Sequence, residues 1–428
     1  MAQEKMTRIL VTSTAPLYNR GSMGRAIGLV ECLQASMPDA HITFWHRFYR
    51  TEKGIFHNCI VKGNPRIELK EHPWYRETSS RPLTAICAAV RGGISLSFYA
   101  LHMVLRRIGL PLKSRYQQFD VIIDPNYVEG DQGISAALGA FFNLLNTFLS
   151  IISARPVVIC AATVMPLRSN VLRVLTKLVL NRVAMITLRE ELSKEHLQVL
   201  GVNKPSTLVT GDLAFLLPPA PAEKLNTILK DENITSLDSP VVGMTPAGES
   251  SFVKPEEHIQ LMAELADFVV EELNATVIFV PHTSYDAPLI GKIYQQVRNK
   301  DKVRAIHNLY MADEVKAIIG RCDIFISPRF HALVAALSLA IPSIGIVAYN
   351  QTKFYGIGDR LMGQERYLVD TSKFDDDSLL AELKSRINLL WVNKDSTAAE
   401  LRERAEIARE NTLLNGKLIK ELLAETSR

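Results

Sequence analysis

The sequence predicts an α/β protein made of two doubly wound domains, and three observations predict it. Short apolar runs of strand length alternate with helix-length segments along most of the chain, the pattern of parallel sheets covered by helices. Pro218-Pro219-Ala220-Pro221 breaks that alternation and reads as a linker. At 428 residues the chain is too long for one ordinary core. The expected domains are 1–220 and 236–428, the second ending in a helical tail.

The elements follow in order. Arg8 to Ser13 is a predicted strand, Gly24 to Ala35 a helix and His41 to Trp45 a strand. Val121 to Ile123 and Val157 to Ala161 are further short apolar runs. Val171 to Asn181 is helical and Ala184 to Leu188 is a strand. Past the linker, Val241 to Met244 is a strand, His258 to Leu273 a helix, Thr276 to Val280 a strand and Ala287 to Val297 a helix. Strands around Ile324 to Ile326 and Ile344 to Ala348 flank a helical pattern at Leu333 to Leu339. Asp376 to Arg428 is helical and highly charged, read as a solvated outer layer. In doubly wound folds ligands bind at the C-terminal edges of the strands, so a cleft between two such edges is the expected site.

Composition narrows the function classes. Hydrophobic residues make up 47% and charged residues 22%, as in ordered globular proteins. A net charge of +4, without a basic tract or aromatic-basic repeats, does not point to nucleic acid. Five scattered cysteines with no Cys-x-x-Cys pair fit reduced thiols in a cytoplasmic protein and argue against a cysteine metal site. Glu4, Lys5 and Arg8 lead straight into Ile9-Leu10-Val11, which is strand-length and unlike a secretory leader.

Two segments stand out from a plain soluble enzyme. Thr78 to Phe119 holds six Lys or Arg and no acidic residue, with apolar positions recurring at spacings of three and four. Such a stretch either lies on an anionic membrane surface or forms a core helix whose arginines reach outward. Gln132 to Ala154 carries no charge and reaches membrane-spanning length, but Asn143, Asn146 and Thr147 interrupt it inside the α/β alternation. A buried helix is the expectation there.

The chemistry concentrates at Ser327-Pro328-Arg329-Phe330-His331-Ala332-Leu333. Arg329 and His331 fall at a strand-to-helix junction, where free amides and the helix dipole favour an anion. The arginine offers a fork for phosphate or carboxylate and the histidine a proton carrier near neutral pH. The plainer alternative is an arginine capping a loop beside a structural histidine. Four more loops follow predicted strands and would line one crevice: Tyr18 to Gly24 with Asn19 and Gly21, Thr187 to Ser193 with Arg189, Val280 to Asp286 with His282, and Tyr349 to Lys353. Arg189 could instead pair with Glu190 or Glu191. Nothing in these loops calls for a metal.

These segments resemble the polysaccharide pyruvyl transferase family. Arg329-x-His331 followed by Ala335-Ala336-Leu337-Ser338, Ile341-Pro342-Ser343, Tyr349 and Lys353 carries the likeness most specifically. Arg189-Glu190-x-x-Ser193 with Leu200-Gly201-Val202, Gly211-Asp212, and Asn19-x-Gly21 extend it. The resemblance implies two Rossmann-like domains in a glycosyltransferase-B-like arrangement around an interdomain cleft. It implies transfer of pyruvate from phosphoenolpyruvate to paired hydroxyls of a glycan or lipid-linked saccharide, forming a ketal. His331 and Arg329 would be catalytic. Arg189, Asn19, Gly21, His282, Tyr349 and Lys353 would bind substrate. Phosphoenolpyruvate is the donor substrate, and no cofactor or nucleic acid is implied. The chain departs from the family at Ser22, where an acidic residue is usual, and at Asp124 to Gly130, where Gly-Gly is common. Both loops would face the acceptor, whose identity the sequence leaves open. A nucleotide-sugar glycosyltransferase of the same fold, or a non-catalytic glycan-binding protein, is the alternative. A cytoplasmic protein, peripheral on the inner face of the membrane, is the expected location.

Overall fold

The structure is a computed structural model. It describes residues 6–426 apart from 74–114, 126–129, 132–133, 154, 235–236, 238–239, 248–254 and 349–351. Most of the Thr78 to Phe119 segment, and Tyr349, therefore lie outside the described residues. The chain divides into two compact units. One comprises Met1–Leu17, Leu29–Asp212 and Asn411–Arg428; the other comprises Tyr18–Gly28 and Leu213–Glu410.

The first unit holds seven strands: β1 (Arg8–Thr14), β2 (His41–His46), β3 (Ile67–Glu71), β4 (Val121–Asp124), β5 (Val157–Ala162), β6 (Met185–Leu188) and β7 (Ser206–Val209). They form one parallel sheet in the order β3-β2-β1-β4-β5-β6-β7. The order reverses between β1 and β4, the switch point of a doubly wound sheet. Ile9, Leu10 and Val11 of β1 are fully buried, as a central strand covered on both faces requires. The expected helix at Gly24 begins earlier, at Arg20, and runs to Ser36. Asn19 Oδ1 accepts from the Gly21 amide at 2.9 Å and so satisfies a first-turn donor.

The uncharged stretch at Gln132 to Ala154 is the helix Ile134–Ile152. Its Ala140, Leu144 and Leu149 are buried in the first unit's core. No helix among the described residues is long and apolar enough to cross a membrane.

The charged C-terminal tail is more than a solvated layer. It forms the helices Asp376–Val392 and Lys394–Thr426. Leu401, Ala408, Thr412, Asn415 and Ile419 are fully buried. Asn415 Oδ1 accepts from the hydroxyls of Thr187 and, at 3.1 Å, Thr210, at the ends of β6 and β7. A buried helix face spaced among many charges is easily read from sequence as a solvated helix.

The second unit repeats the architecture with β8 (Val241–Met244), β9 (Thr276–Phe279), β10 (Val303–Ala305), β11 (Ile324–Ser327), β12 (Ser343–Val347) and β13 (Leu368–Asp370). All are parallel, in the order β10-β9-β8-β11-β12-β13. The reversal lies between β8 and β11. Val242, Met244, Ile324 and Ile326 pack in a core with the helices Pro255–Leu273 and Asp286–Gln296.

Arg189 follows β6 and belongs to the first unit's frame. Its Nη1 pairs with Asp212 Oδ2 at 2.7 Å, and its Nε donates to Thr163 Oγ1. The partner is thus Asp212, not Glu190 or Glu191. Glu190 caps the helix Glu191–Leu200, accepting from the Ser193 amide at 2.8 Å. Ser193 Oγ in turn accepts from the Val164 amide at 2.7 Å. The Arg-acid-x-x-Ser element and Gly211-Asp212 therefore tie together the ends of β5, β6 and β7. Arg189 is 3% exposed and Asp212 fully buried. Arg189→Ala strands a buried carboxylate, so it is expected to cost about 3–5 kcal/mol of stability. Equilibrium urea denaturation checks this; an unchanged midpoint would release Arg189 from its structural role.

Candidate active site

The candidate site lies at the C-terminal edge of the second sheet. The turns following β9 and β11 meet there, joined by the stretch Tyr18–Gly28 that belongs to the same unit. Arg20 holds that stretch down. Its amide donates to the His282 carbonyl at 3.2 Å, and its guanidinium donates to the carbonyls of Tyr310 and, at 3.0 Å, Leu309. Tyr18 meets Tyr285 edge to face, with ring centroids 6.4 Å apart.

Gly21 has a specific reason to be glycine. A Cβ there would stand 2.3 Å from Cγ and Nδ1 of His331. The absent side chain is therefore what lets the imidazole lie against the backbone. His331 occupies the first turn of the helix Phe330–Leu337, for which Arg329 is the N-terminal flanking residue. Phe330 and His331 rings are 5.0 Å apart, and Lys353 Nζ sits 5.4 Å from the Phe330 ring centre. The sequence-predicted Asn19, Gly21, His282, Arg329, His331 and Lys353 thus share one unit, while Arg189 belongs to the other.

Asp286 organises the corner. It is fully buried at the start of the helix Asp286–Gln296. Its Oδ2 accepts from the amides of His282 at 3.0 Å and Thr283 at 2.8 Å. Its Oδ1 accepts from Arg329 Nη2, which also reaches Thr283 Oγ1 at 3.3 Å. Ser327 Oγ accepts from the Arg329 amide at 2.9 Å and fixes the turn into the helix. Arg329 keeps 18% of its side chain exposed, and its Nε has no hydrogen-bond partner among the described residues.

His282 is 5% exposed, and neither ring nitrogen has a hydrogen-bond partner among the described residues. Burial, then the positive potentials of Arg329 and Arg20, push its pKa down to about 3. His258, on the helix Pro255–Leu273, is pushed to about 3 by burial and then Arg329. Its Nε2 accepts from the Ala247 amide at 3.1 Å. Both rings are neutral at pH 7, so His282 holds one N–H donor and one lone pair in the field of two guanidinium groups. Buried polar atoms left unsatisfied are costly, and a ligand with its own donor and acceptor would satisfy them.

The sequence placed Arg20, Thr283 and Asp286 in candidate loops without singling them out, and His258 was missed. Thr283-Ser284-Tyr285-Asp286 did carry a signal: a hydroxyl residue three before an acid at a helix start is a capping pattern, and Asp286 reaches back as that pattern predicts. His258 has no comparable local signature.

A family model described as polysaccharide pyruvyl transferase matches residues 31–350. That range includes Arg189, His282, Arg329 and His331 and leaves out Tyr18–Gly28 and Lys353. The amylovoran biosynthesis protein AmsJ of Erwinia amylovora is 21% identical over 402 residues, covering 88% of this chain and 91% of that protein. The UDP-GlcNAc 2-epimerase of Neisseria meningitidis, solved bound to UDP-GlcNAc, superposes with a TM-score of 0.59 at 13% identity, over 98% of this chain and 100% of that one. A glycosyltransferase of Rickettsia africae gives 0.55 at 10% identity, over 97% of this chain and 98% of that one. These structures share the fold of glycosyltransferase-B-like enzymes. By the family model, which spans most of its length, the chain belongs to the polysaccharide pyruvyl transferase family.

Proposed function

We propose that this protein transfers pyruvate from phosphoenolpyruvate to two hydroxyls of a saccharide, forming a ketal and releasing phosphate. The observation that carries the reading is His282: a buried, neutral imidazole without a partner, under the potential of Arg20 and Arg329. Phosphoenolpyruvate bears a phosphate and a carboxylate. Arg329 Nε and the first-turn amides of the helix Phe330–Leu337 offer charge-assisted donors to one of them. His282 gives its N–H to the other. Lys353 adds a cation beside Phe330.

The proton bookkeeping then assigns His331. The donor's methylene carbon gains a proton to become a methyl group. One saccharide hydroxyl loses its proton as its oxygen bonds the adjacent carbon, and the second does so as phosphate leaves. A partly exposed histidine at a helix start can relay these protons near neutral pH. His282, held neutral by burial, suits hydrogen bonding rather than proton transfer. Gly21 sets where the His331 ring lies. The acceptor is a glycan or a lipid-linked saccharide.

A second reading rests on the fold likeness to a protein solved with UDP-GlcNAc. On it, Arg329 and Lys353 would hold a diphosphate. Thermal-shift measurements with phosphoenolpyruvate, UDP and UDP-GlcNAc separate the two, because a ligand bound only by the native state raises Tm. Phosphoenolpyruvate is expected to raise Tm and the nucleotides to leave it unchanged. The reverse pattern sinks the donor assignment.

Gly21→Ala is expected to keep donor binding but lower turnover by about 100-fold, the order of loss that a 1 Å displacement of a reacting group produces. Single-turnover kinetics and a donor titration read the two effects separately. Wild-type turnover would mean that the position of His331 is unimportant.

His282→Asn tests the buried imidazole through stability. The unfolded-state pKa of histidine is about 6.5, and the folded value is about 3. Between these values the unfolded chain binds more protons, so His282 lowers stability as pH falls from 6.5 toward 3. The asparagine variant is expected to lose about 2–3 kcal/mol less than wild type between pH 7 and pH 4.5, at 1.36 kcal/mol per unit. Urea denaturation at both values measures it, and an unchanged difference would show His282 protonating freely in the folded state.

A further inference from the structure

We propose that the face formed by the helices Ile134–Ile152 and Asn170–Leu180 docks on an anionic lipid bilayer. The two helices pack against each other in the first unit. These helices lie outside Thr78 to Phe119 in sequence, and the proposal does not depend on the donor assignment.

The helix Asn170–Leu180 shows the conflict most clearly. Leu172, Thr176, Val179 and Leu180 fill its buried side. Yet Val171, Val174 and Leu178, three and four residues apart, are 68%, 57% and 48% exposed. That spacing sets them in one outward stripe. The neighbouring helix adds Leu138 at 45% and Phe141 at 42%. Five of the thirteen exposed large apolar side chains among the described residues thus fall on these two helices. A cluster on adjacent elements marks an interaction site, where scattered single residues would not.

Charge selects the partner. Arg173 and Lys177 form a second exposed stripe beside the apolar one, and Arg168 and Arg182 flank its ends, all exposed. From Gln132 to Arg189 there is no Asp or Glu at all. A second copy of this chain would set these cations against themselves on a self-complementary face. Apolar groups interleaved with cations instead match a bilayer interface, with the valines, leucines and phenylalanine among the acyl chains and the basic groups at anionic headgroups. No described helix is long and apolar enough to cross, so contact along the helix faces is the geometry that fits.

The test is co-sedimentation of the full chain with phosphatidylcholine vesicles, plain or containing about one-third phosphatidylglycerol, at low and high salt. The expected result is roughly tenfold stronger binding to anionic vesicles, weakened by salt. Arg173→Glu with Lys177→Glu, and separately Val174→Ser with Leu178→Ser, should each reduce that binding by roughly tenfold without changing Tm. If one pair disturbs folding, the other decides. Absence of vesicle binding, or wild-type binding by both variants, overturns the proposal. So does a concentration-dependent mass in solution that vanishes in the serine variant without vesicle binding, which would assign the face to a second copy. Equal capture by an immobilised acidic peptide and no vesicle binding would assign it to a protein partner instead.

Discussion

The candidate site depends on one buried carboxylate. Asp286 is fully enclosed, and three donors converge on its two oxygens, the hydrogen bonding that a buried carboxyl group requires. Two of those donors are the amides of His282 and Thr283, so Asp286 fixes the loop after β9. The third is Arg329, so it also fixes the turn after β11. Those turns come from strands on either side of β8, which is why one residue sets the spacing of His282, Arg329 and His331 together. The order β9-β8-β11 places them there; Asp286 holds them in register.

Pairing Arg329 with Asp286 has an electrostatic consequence. The pair is formally neutral, so Arg329 does not attract an anion as an isolated cation would. What remains is directional: an Nε without a partner and a helix N-terminus with its oriented amides. Arg20 adds charge whose described side-chain hydrogen bonds run to carbonyl oxygens rather than to a carboxylate. Both guanidinium groups act on His282 strongly enough to help keep it neutral. A site of this kind selects by geometry as much as by charge, and lysine could not reproduce the fork at position 329.

The sequence read well where burial imposed a pattern and poorly where it did not. The strands it missed, β3, β7, β10 and β13, are the four sheet edges. Their sequences, Ile-Glu-Leu-Lys-Glu, Ser-Thr-Leu-Val, Val-Arg-Ala and Leu-Val-Asp, alternate or run short because one side meets solvent. The central strands are buried along most of their described length and showed as largely apolar runs. The Arg329 junction was legible because a strand, an arginine and a helix pattern fall within a few residues. Asn19 and Gly21 were legible as candidate site residues, although Gly21 lies in the helix that begins at Arg20; their membership of the second unit was not legible, since it rests on contacts from Arg20 and Gly21 to residues more than 250 positions away. The buried face of the C-terminal helix was hidden for a similar reason: its polar members Thr412 and Asn415 find their partners only in three dimensions.

The two units solve the same local problem in the same way and stop at different points. Each places an arginine just past the C-terminal end of a strand, pairs it with a fully buried aspartate, and adds a threonine hydroxyl as a further acceptor. In the first unit these are Arg189, Asp212 and Thr163; in the second they are Arg329, Asp286 and Thr283. Arg189 is sealed at 3% exposure, and its Nε is spent on Thr163. Arg329 retains 18% exposure, and its Nε faces no protein acceptor. One arrangement is complete as a structural clamp. Among the described residues the other lacks one hydrogen bond of being so, and a buried donor left unsatisfied is costly.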